Sequence, residues 1–300
     1  MASECRNCGS SNIRELGPLG RVAPFFLKRV LGAEVRVPKS ANRLKQLFRN
    51  FATASRVARL SSQAVFIDMQ ICRDCTFIQT KIPFRDDDIM RLYLDYRSAS
   101  YNRERIRFEP GYEEIASHVG HDKVEVQNRN EAVTAFLRDN VVLTEPFSIL
   151  DYGGADGRFT PDLPGPKFVY DVSTAAPVPG VKRVVSESEL GEYSLVLLAH
   201  VTEHVPQPLQ LVQKLSSYVQ PSGYLYIENP KEISDEKLDQ LASGGHEFEM
   251  GVHEHINQYS VKSVRALLES GGFRVIATEC TALECGWSKQ LVIRAVGQRN

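Results

Sequence analysis

Three hundred residues exceed a typical single domain, so a main domain with a smaller module beside it is expected. The formal net charge is -1, yet residues 14–59 hold eleven Lys or Arg against two Glu, which leaves the rest of the chain acidic and points to phosphate-bearing partners: nucleotide-linked substrates, nucleic acid or anionic lipid. No apolar run is long enough to cross a bilayer, and the opening Met1-Ala2-Ser3-Glu4-Cys5 lacks the basic and apolar parts of a signal peptide, so a cytoplasmic location is expected.

Four of the six cysteines form Cys5-Arg6-Asn7-Cys8 and Cys72-Arg73-Asp74-Cys75, a spacing that lets both thiolates of a turn reach one tetrahedral ion, with zinc as its natural occupant. A closed four-sulfur site of this kind is structural. Between the pairs, residues 23–31 and 43–60 read as helices. The second has Leu44, Leu47, Phe48, Phe51, Val57 and Leu60 on one stripe and a basic opposite face, and it carries no interleaved aromatics of the kind that stack single-stranded bases. Residues 77–79 continue as a strand, residues 86–96 as a helix, and Arg97-Ser98-Ala99-Ser100-Tyr101 follows. Residues 1–100 form the N-terminal module and residues 101–300 the main domain. Cys280 and Cys285, set among apolar residues, read as buried packing.

The main domain begins with an amphipathic helix over 126–140, with Ala132, Val133, Phe136 and Leu137 inward. Phe147 to Leu150 reads as a buried strand, with Asp151 at its carboxyl end and Gly153-Gly154-Ala155-Asp156-Gly157 after it. Open α/β sheets bind ligands at that end, and glycines let backbone N-H groups approach them. A second strand over 168–170 ends in Asp171, about 20 residues past the start of the loop, where an acid commonly receives ribose hydroxyls. Strands at 181–185 and 193–200, a helix at 209–218 and a strand at 224–228 follow. Ser260 caps a helix over 261–270, Gly271-Gly272 ends it, and strands at 273–278 and 288–296 close the chain. The connections 158–166 and 172–180 are too short for full crossover helices, so one sheet face should lose helical cover and take it from N-terminal segments.

This order resembles a class I S-adenosylmethionine-dependent methyltransferase across roughly residues 127–297: α/β, with a Rossmann-like seven-stranded methyltransferase sheet and a small N-terminal zinc-binding module. The resemblance implies that Asp151, Gly153, Gly154 and Gly157 meet the methionine part of S-adenosylmethionine and Asp171 its ribose. Ser186 and Glu187 would lie by adenine, and His200 would line the methyl-transfer gap. Relatives usually carry a glycine where Ala155 stands, which requires Ala155 to keep a negative φ. The pattern Cys-x-x-Cys, Phe77-Ile78-Gln79, then tyrosines and serines resembles the zinc-bearing module of methyltransferases acting on nucleotide-linked deoxysugars. In that family a tyrosine of this region reaches the substrate, which here is Tyr96 ahead of Tyr93.

Glu254-His255, followed by Tyr259-Ser260, matches the Glu-His and Tyr-Ser pattern of the sugar C-methyltransferases. The resemblance implies His255 as base and Glu254 as its partner, with His253 beside them, and a small polar acceptor such as a nucleotide-linked sugar or another glycan-pathway metabolite. Two alternatives stay open. His200, Glu203, His204 and either His253 or His255 could form a mixed nitrogen and oxygen metal site for O-methyl transfer. A non-catalytic scaffold binding nucleic acid or a protein partner is the other.

Overall fold

A computed structural model describes residues 4–32 and 65–300 except Leu94, His121 and His246, so the helix expected over 43–60 lies outside the described residues. Seven strands form the main sheet: β4 (Ile149–Tyr152), β5 (Lys167–Tyr170), β6 (Val181–Arg183), β7 (Tyr193–Ala199), β8 (Val219–Pro230), β10 (Phe273–Glu284) and β11 (Lys289–Arg299). Their order is β10-β11-β8-β7-β4-β5-β6. The five strands from β8 to β6 run parallel, and β11 returns antiparallel between β8 and β10. The chain leaves β4 toward β5 and β6, then comes back on the other side of β4 as β7. That reversal opens a crevice at the carboxyl ends of β4 and β7.

Alternation along the central strands decides what covers each face. Leu195, Leu197, Tyr224, Tyr226 and Ile149 pack with Val133, Phe136 and Leu137 of helix α5 (Lys123–Asn140), which Asp122 caps by accepting Val124 N-H at 2.8 Å and Glu125 N-H at 3.1 Å. Leu150, Val196, Leu198, Leu225 and Ile227 face the other way, onto helices α6 (Pro208–Leu215) and α8 (Val261–Ser270) and onto Cys5, Cys72, Cys75 and Phe77. The cysteine turns thus supply the cover that the short crossovers lack. No helix forms in 153–166 or 171–180.

A second sheet, ordered β3-β2-β1-β9, holds β1 (Ile13–Val22), β2 (Val65–Cys72), β3 (Ile78–Thr80) and β9 (Met250–Val252). Strand β9 comes from the main domain and pairs parallel with β1, Gly20 opposite Met250. Helices α1 (Pro24–Arg29), α2 (Asp86–Tyr93), α3 (Ala99–Phe108) and α4 (Tyr112–His118) share its core with α7 (Asp235–Ser243), through Phe25, Leu92, Tyr101, Tyr112 and Leu241. The division at residue 100 read from sequence therefore does not part the chain in space. Cys285 is buried as expected, but Cys280 is exposed on the edge strand β10. No helix among the described residues is long and apolar enough to cross a membrane.

Leu195 is fully buried and lies between Ile149 of β4 and Tyr224 of β8. Leu195→Ala should lower unfolding free energy by about 2–5 kcal/mol, measured by urea denaturation.

Candidate active site and metal centre

Asp151, next to last in β4, is almost fully buried; its Oδ2 accepts the Thr160 hydroxyl at 2.8 Å, while Oδ1 meets no protein donor. A side chain at Gly154 would strike this carboxyl, and Gly153 sits at φ +80°. The residues form a cradle with an unsatisfied acid at its floor, which fits the ammonium end of an amino-acid-bearing cofactor. Burial pushes the Asp151 carboxyl up to about 6, against the Thr160 hydrogen bond and the Arg129 charge.

Ala155 departs from expectation, adopting φ +53°. That conformation costs a residue with a Cβ roughly 1–2 kcal/mol. It is held by the Ala155 N-H donating to Asp171 at 3.0 Å and by the Ala155 carbonyl accepting from Arg183 at 3.2 Å. Asp171 also accepts Ser173 N-H at 2.6 Å, so its half-buried carboxylate fastens the glycine loop to the end of β5. Ser186 caps the turn after β6, and Glu187 accepts the Tyr152 hydroxyl at 2.7 Å and pairs with Lys214. Asp171 and Glu187 are thus tied to the end of β4, Asp171 through the glycine loop and Glu187 through Tyr152.

His200 follows β7 at φ +56°, its Nδ1 3.3 Å from Glu203 and its Nε2 3.2 Å from Glu228. Glu228 on β8 has no exposure; Arg129 of α5 reaches it at 3.0 Å, Arg294 of β11 at 2.8 Å and the Tyr226 hydroxyl at 2.9 Å. Burial alone would raise the Glu228 pKa, but Arg129, His200 and Arg294 hold it far below the usual carboxylate range. Sequence reasoning missed this cluster. Its signal was present: a Glu and an Arg each stand inside an apolar strand, and the β8–β11 register sets Arg294 directly opposite Glu228.

The structure brings Tyr93, Tyr96, His204, His253, Glu254 and His255 together but changes the expected pairing. Glu254 turns away from His255. It accepts the Tyr96 hydroxyl at 3.1 Å and the Tyr101 hydroxyl at 3.0 Å and pairs with Arg105. His255 Nδ1 pairs instead with Glu232, which also accepts Gln258 Nε2 at 2.6 Å. Backbone direction explains the swap, because residues adjacent in an extended stretch face opposite ways. Burial would raise Glu254, but the Arg105 and His204 charges hold it at about 2. Burial would likewise lower His255, but the Glu232 hydrogen bond and charge lift it to about 9. Burial and then the His255 charge bring His253 down to about 4. His255 therefore carries its proton at neutral pH and makes a poor proton acceptor in that state.

The four cysteines converge as their spacing implies. Cys5 and Cys75 sulfurs lie 3.7 Å apart and Cys8 and Cys72 sulfurs 3.8 Å apart, and all four lie within 4.8 Å of one another. Sulfurs around a tetrahedral zinc, with bonds of about 2.3 Å, are separated by about 3.8 Å. Two matching turns shape the cluster, Gly9 N-H bonding to the Cys5 carbonyl at 2.8 Å and Thr76 N-H to the Cys72 carbonyl at 2.9 Å.

The sequence model of the Methyltransferase domain family matches residues 123–278, more than half of the chain, and the chain belongs to that family. It is an S-adenosylmethionine-dependent methyltransferase. No curated protein sequence matches it. Solved structures similar to it include the 1,6-didemethyltoxoflavin-N1-methyltransferase of Burkholderia thailandensis with bound S-adenosylhomocysteine, 14% identical over 64% of this chain and 85% of that one, TM-score 0.43. The magnesium protoporphyrin IX methyltransferase of Synechocystis, also with S-adenosylhomocysteine, is 16% identical over 62% of this chain and 87% of that one, TM-score 0.41. A methyltransferase of Methanosarcina mazei is 13% identical over 55% and 96%, TM-score 0.38.

The Asp151 carboxylate becomes protonated as pH falls through its pKa of about 6. Calorimetric affinity for S-adenosylhomocysteine should therefore weaken about fourfold from about pH 7.5 to about pH 5.5, and Asp151→Asn should bind weakly and without that dependence.

Proposed function

We propose that this methyltransferase acts on a small polar acceptor, a nucleotide-linked sugar or another glycan-pathway metabolite, and that its four N-terminal cysteines hold a structural zinc. The observation that carries the acceptor reading is the polar cluster next to the loop after β7, where the Tyr93 hydroxyl bonds to His204 Nδ1 at 2.8 Å and His255 pairs with Glu232. Hydroxyls, imidazoles and carboxylates at that place suit a molecule rich in oxygens. The motif resemblance through Tyr96 and Glu254-His255 favours the same class.

In this reading Asp151 and the loop from Gly153 to Gly157 hold the methionine end, while Asp171 and the Ser186-Glu187 turn serve the nucleoside. S-adenosylmethionine supplies the activated methyl group. The chain's own part is to place an acceptor atom against it, an effect of about 7–11 kcal/mol in well-oriented reactions. Tyr96 and Tyr101 hold Glu254 in place with Arg105, so Glu254 organises the cluster and does not assist His255. His255, protonated through Glu232, suits holding an acceptor oxygen.

Incubation with S-adenosylmethionine and a panel of nucleotide-linked sugars should yield a singly methylated product by mass spectrometry. Methylation confined to proteins or RNA would overturn the acceptor reading. For the cysteines, cobalt substitution should give thiolate-to-metal absorption in the near ultraviolet. Cys72→Ser should abolish that absorption and cost roughly 3 kcal/mol or more of stability by denaturant titration.

A further inference from the structure

We propose that Glu203, His204 and His255 bind a second metal, a divalent transition ion of the zinc class, in the gap beyond the carboxyl ends of β7 and β8, with a position open to an oxygen of the acceptor. The role of that open position rests on the acceptor reading above; the binding of the ion does not.

One ligand atom from each of the three residues lies within 4.8 Å of the others. Proximity alone is common, and what sets this group apart is how each atom is held. His204 Nδ1 is engaged by the Glu254 carbonyl at 2.9 Å and the Tyr93 hydroxyl at 2.8 Å. His255 Nδ1 is engaged by the Glu232 carboxylate. Both rings thus have Nε2 left as the atom able to ligate, His255 by releasing its Nε2 proton as the ion binds, and metal-binding histidines are held in this way, with the outer nitrogen donating to a carbonyl or carboxylate.

Glu203 supplies the independent sign. Its side chain is 1% exposed, and Oε2 takes the Asn229 amide at 2.8 Å. Oε1 makes no aligned hydrogen bond and is met only by imidazole nitrogens, His200 Nδ1 at 3.3 Å and His204 Nε2 at 3.8 Å. A carboxylate oxygen so deeply buried stays charged only beside cations, and a metal ion can take the place of the imidazole charges there.

The segments carrying the ligands are stitched to each other before any ion arrives. Ile256 N-H and Asn257 N-H donate to the Glu203 carbonyl at 2.9 and 3.2 Å, and the Asn257 amide donates to the Thr202 and Val205 carbonyls at 3.0 and 2.8 Å. Two imidazoles and one carboxylate form a borderline-soft donor set with room for exchangeable ligands, unlike the closed four-sulfur cluster. Glu232, His253 and His255 also approach one another, but Glu232 is already satisfied by His255 and Gln258.

The test is cobalt titration of the full chain, followed by calorimetry and absorption. The expected result is one cobalt per chain without thiolate absorption, in addition to any metal held by the cysteines. His255→Asn and Glu203→Gln should weaken that event at least 10-fold. Glu232→Gln, which alters only the outer partner of His255, should weaken it about 10- to 100-fold. S-adenosylhomocysteine affinity and the thermal midpoint, measured on each variant, identify one that fails to fold, and the variants that keep both decide the matter. Cobalt binding only with thiolate absorption, or unchanged affinity in the folded variants, would overturn the site. Neither outcome depends on which acceptor is methylated, so the acceptor panel and the metal titration fail separately.

Discussion

The buried carboxylate of Glu228 is the interaction on which the other parts of the site depend. It sits on a central strand with no contact to water, and Arg129, Arg294, Tyr226 and His200 converge on it from a helix, a neighbouring strand, its own strand and the loop after β7. A lone buried charge would cost several kcal/mol, so the two guanidinium groups must be in place for the strand to stay buried. Each partner thereby gains a fixed position. Arg129 draws α5 onto the sheet, and from α5 the Asn130 amide reaches the Arg158 carbonyl at 2.9 Å, at the far end of the glycine loop. His200, bonded through its backbone to the Glu228 carbonyl at 2.9 Å, is held in its left-handed turn at the crevice mouth.

A second set of ties works from the opposite side. The segment between β9 and α8 carries His253, Glu254 and His255, and it is fastened at one end by β9 pairing with β1. At the other end, Ser260 caps α8 and lies 2.7 Å from the Thr76 hydroxyl, beside Cys75. Gln258 bridges to Ile78 in between. The cysteine turns therefore anchor one end of the segment that carries His253, Glu254 and His255.

Much of this was legible in the sequence because it is local. The apolar runs gave β4, β5 and β7 to within a residue or two, and Ser260 with Gly271-Gly272 marked both ends of α8. The two cysteine pairs predicted one cluster across sixty-odd intervening residues because tetrahedral ligation leaves few other arrangements. What failed was pairing between distant side chains. Glu254 adjoins His255 in sequence, yet Glu232 is the residue that holds it, because an extended backbone points neighbours apart. Strand β9, three residues including a glycine, has no periodicity to detect. Ala155 adopts a conformation that its residue type disfavours, since Asp171 and Arg183 hold the loop from outside.

The borrowed strand has a consequence for how this enzyme can be taken apart. A fragment ending near residue 100 would lose β9 and expose the backbone edge of β1, an invitation to intermolecular strand addition. The complementary fragment would strand the apolar side chains of α7, Leu238 and Leu241, with nothing to rest on. Neither piece is a free-standing building block. Recombination between relatives would have to exchange the amino-terminal sheet together with the excursion between β8 and α8 for either to keep a closed core.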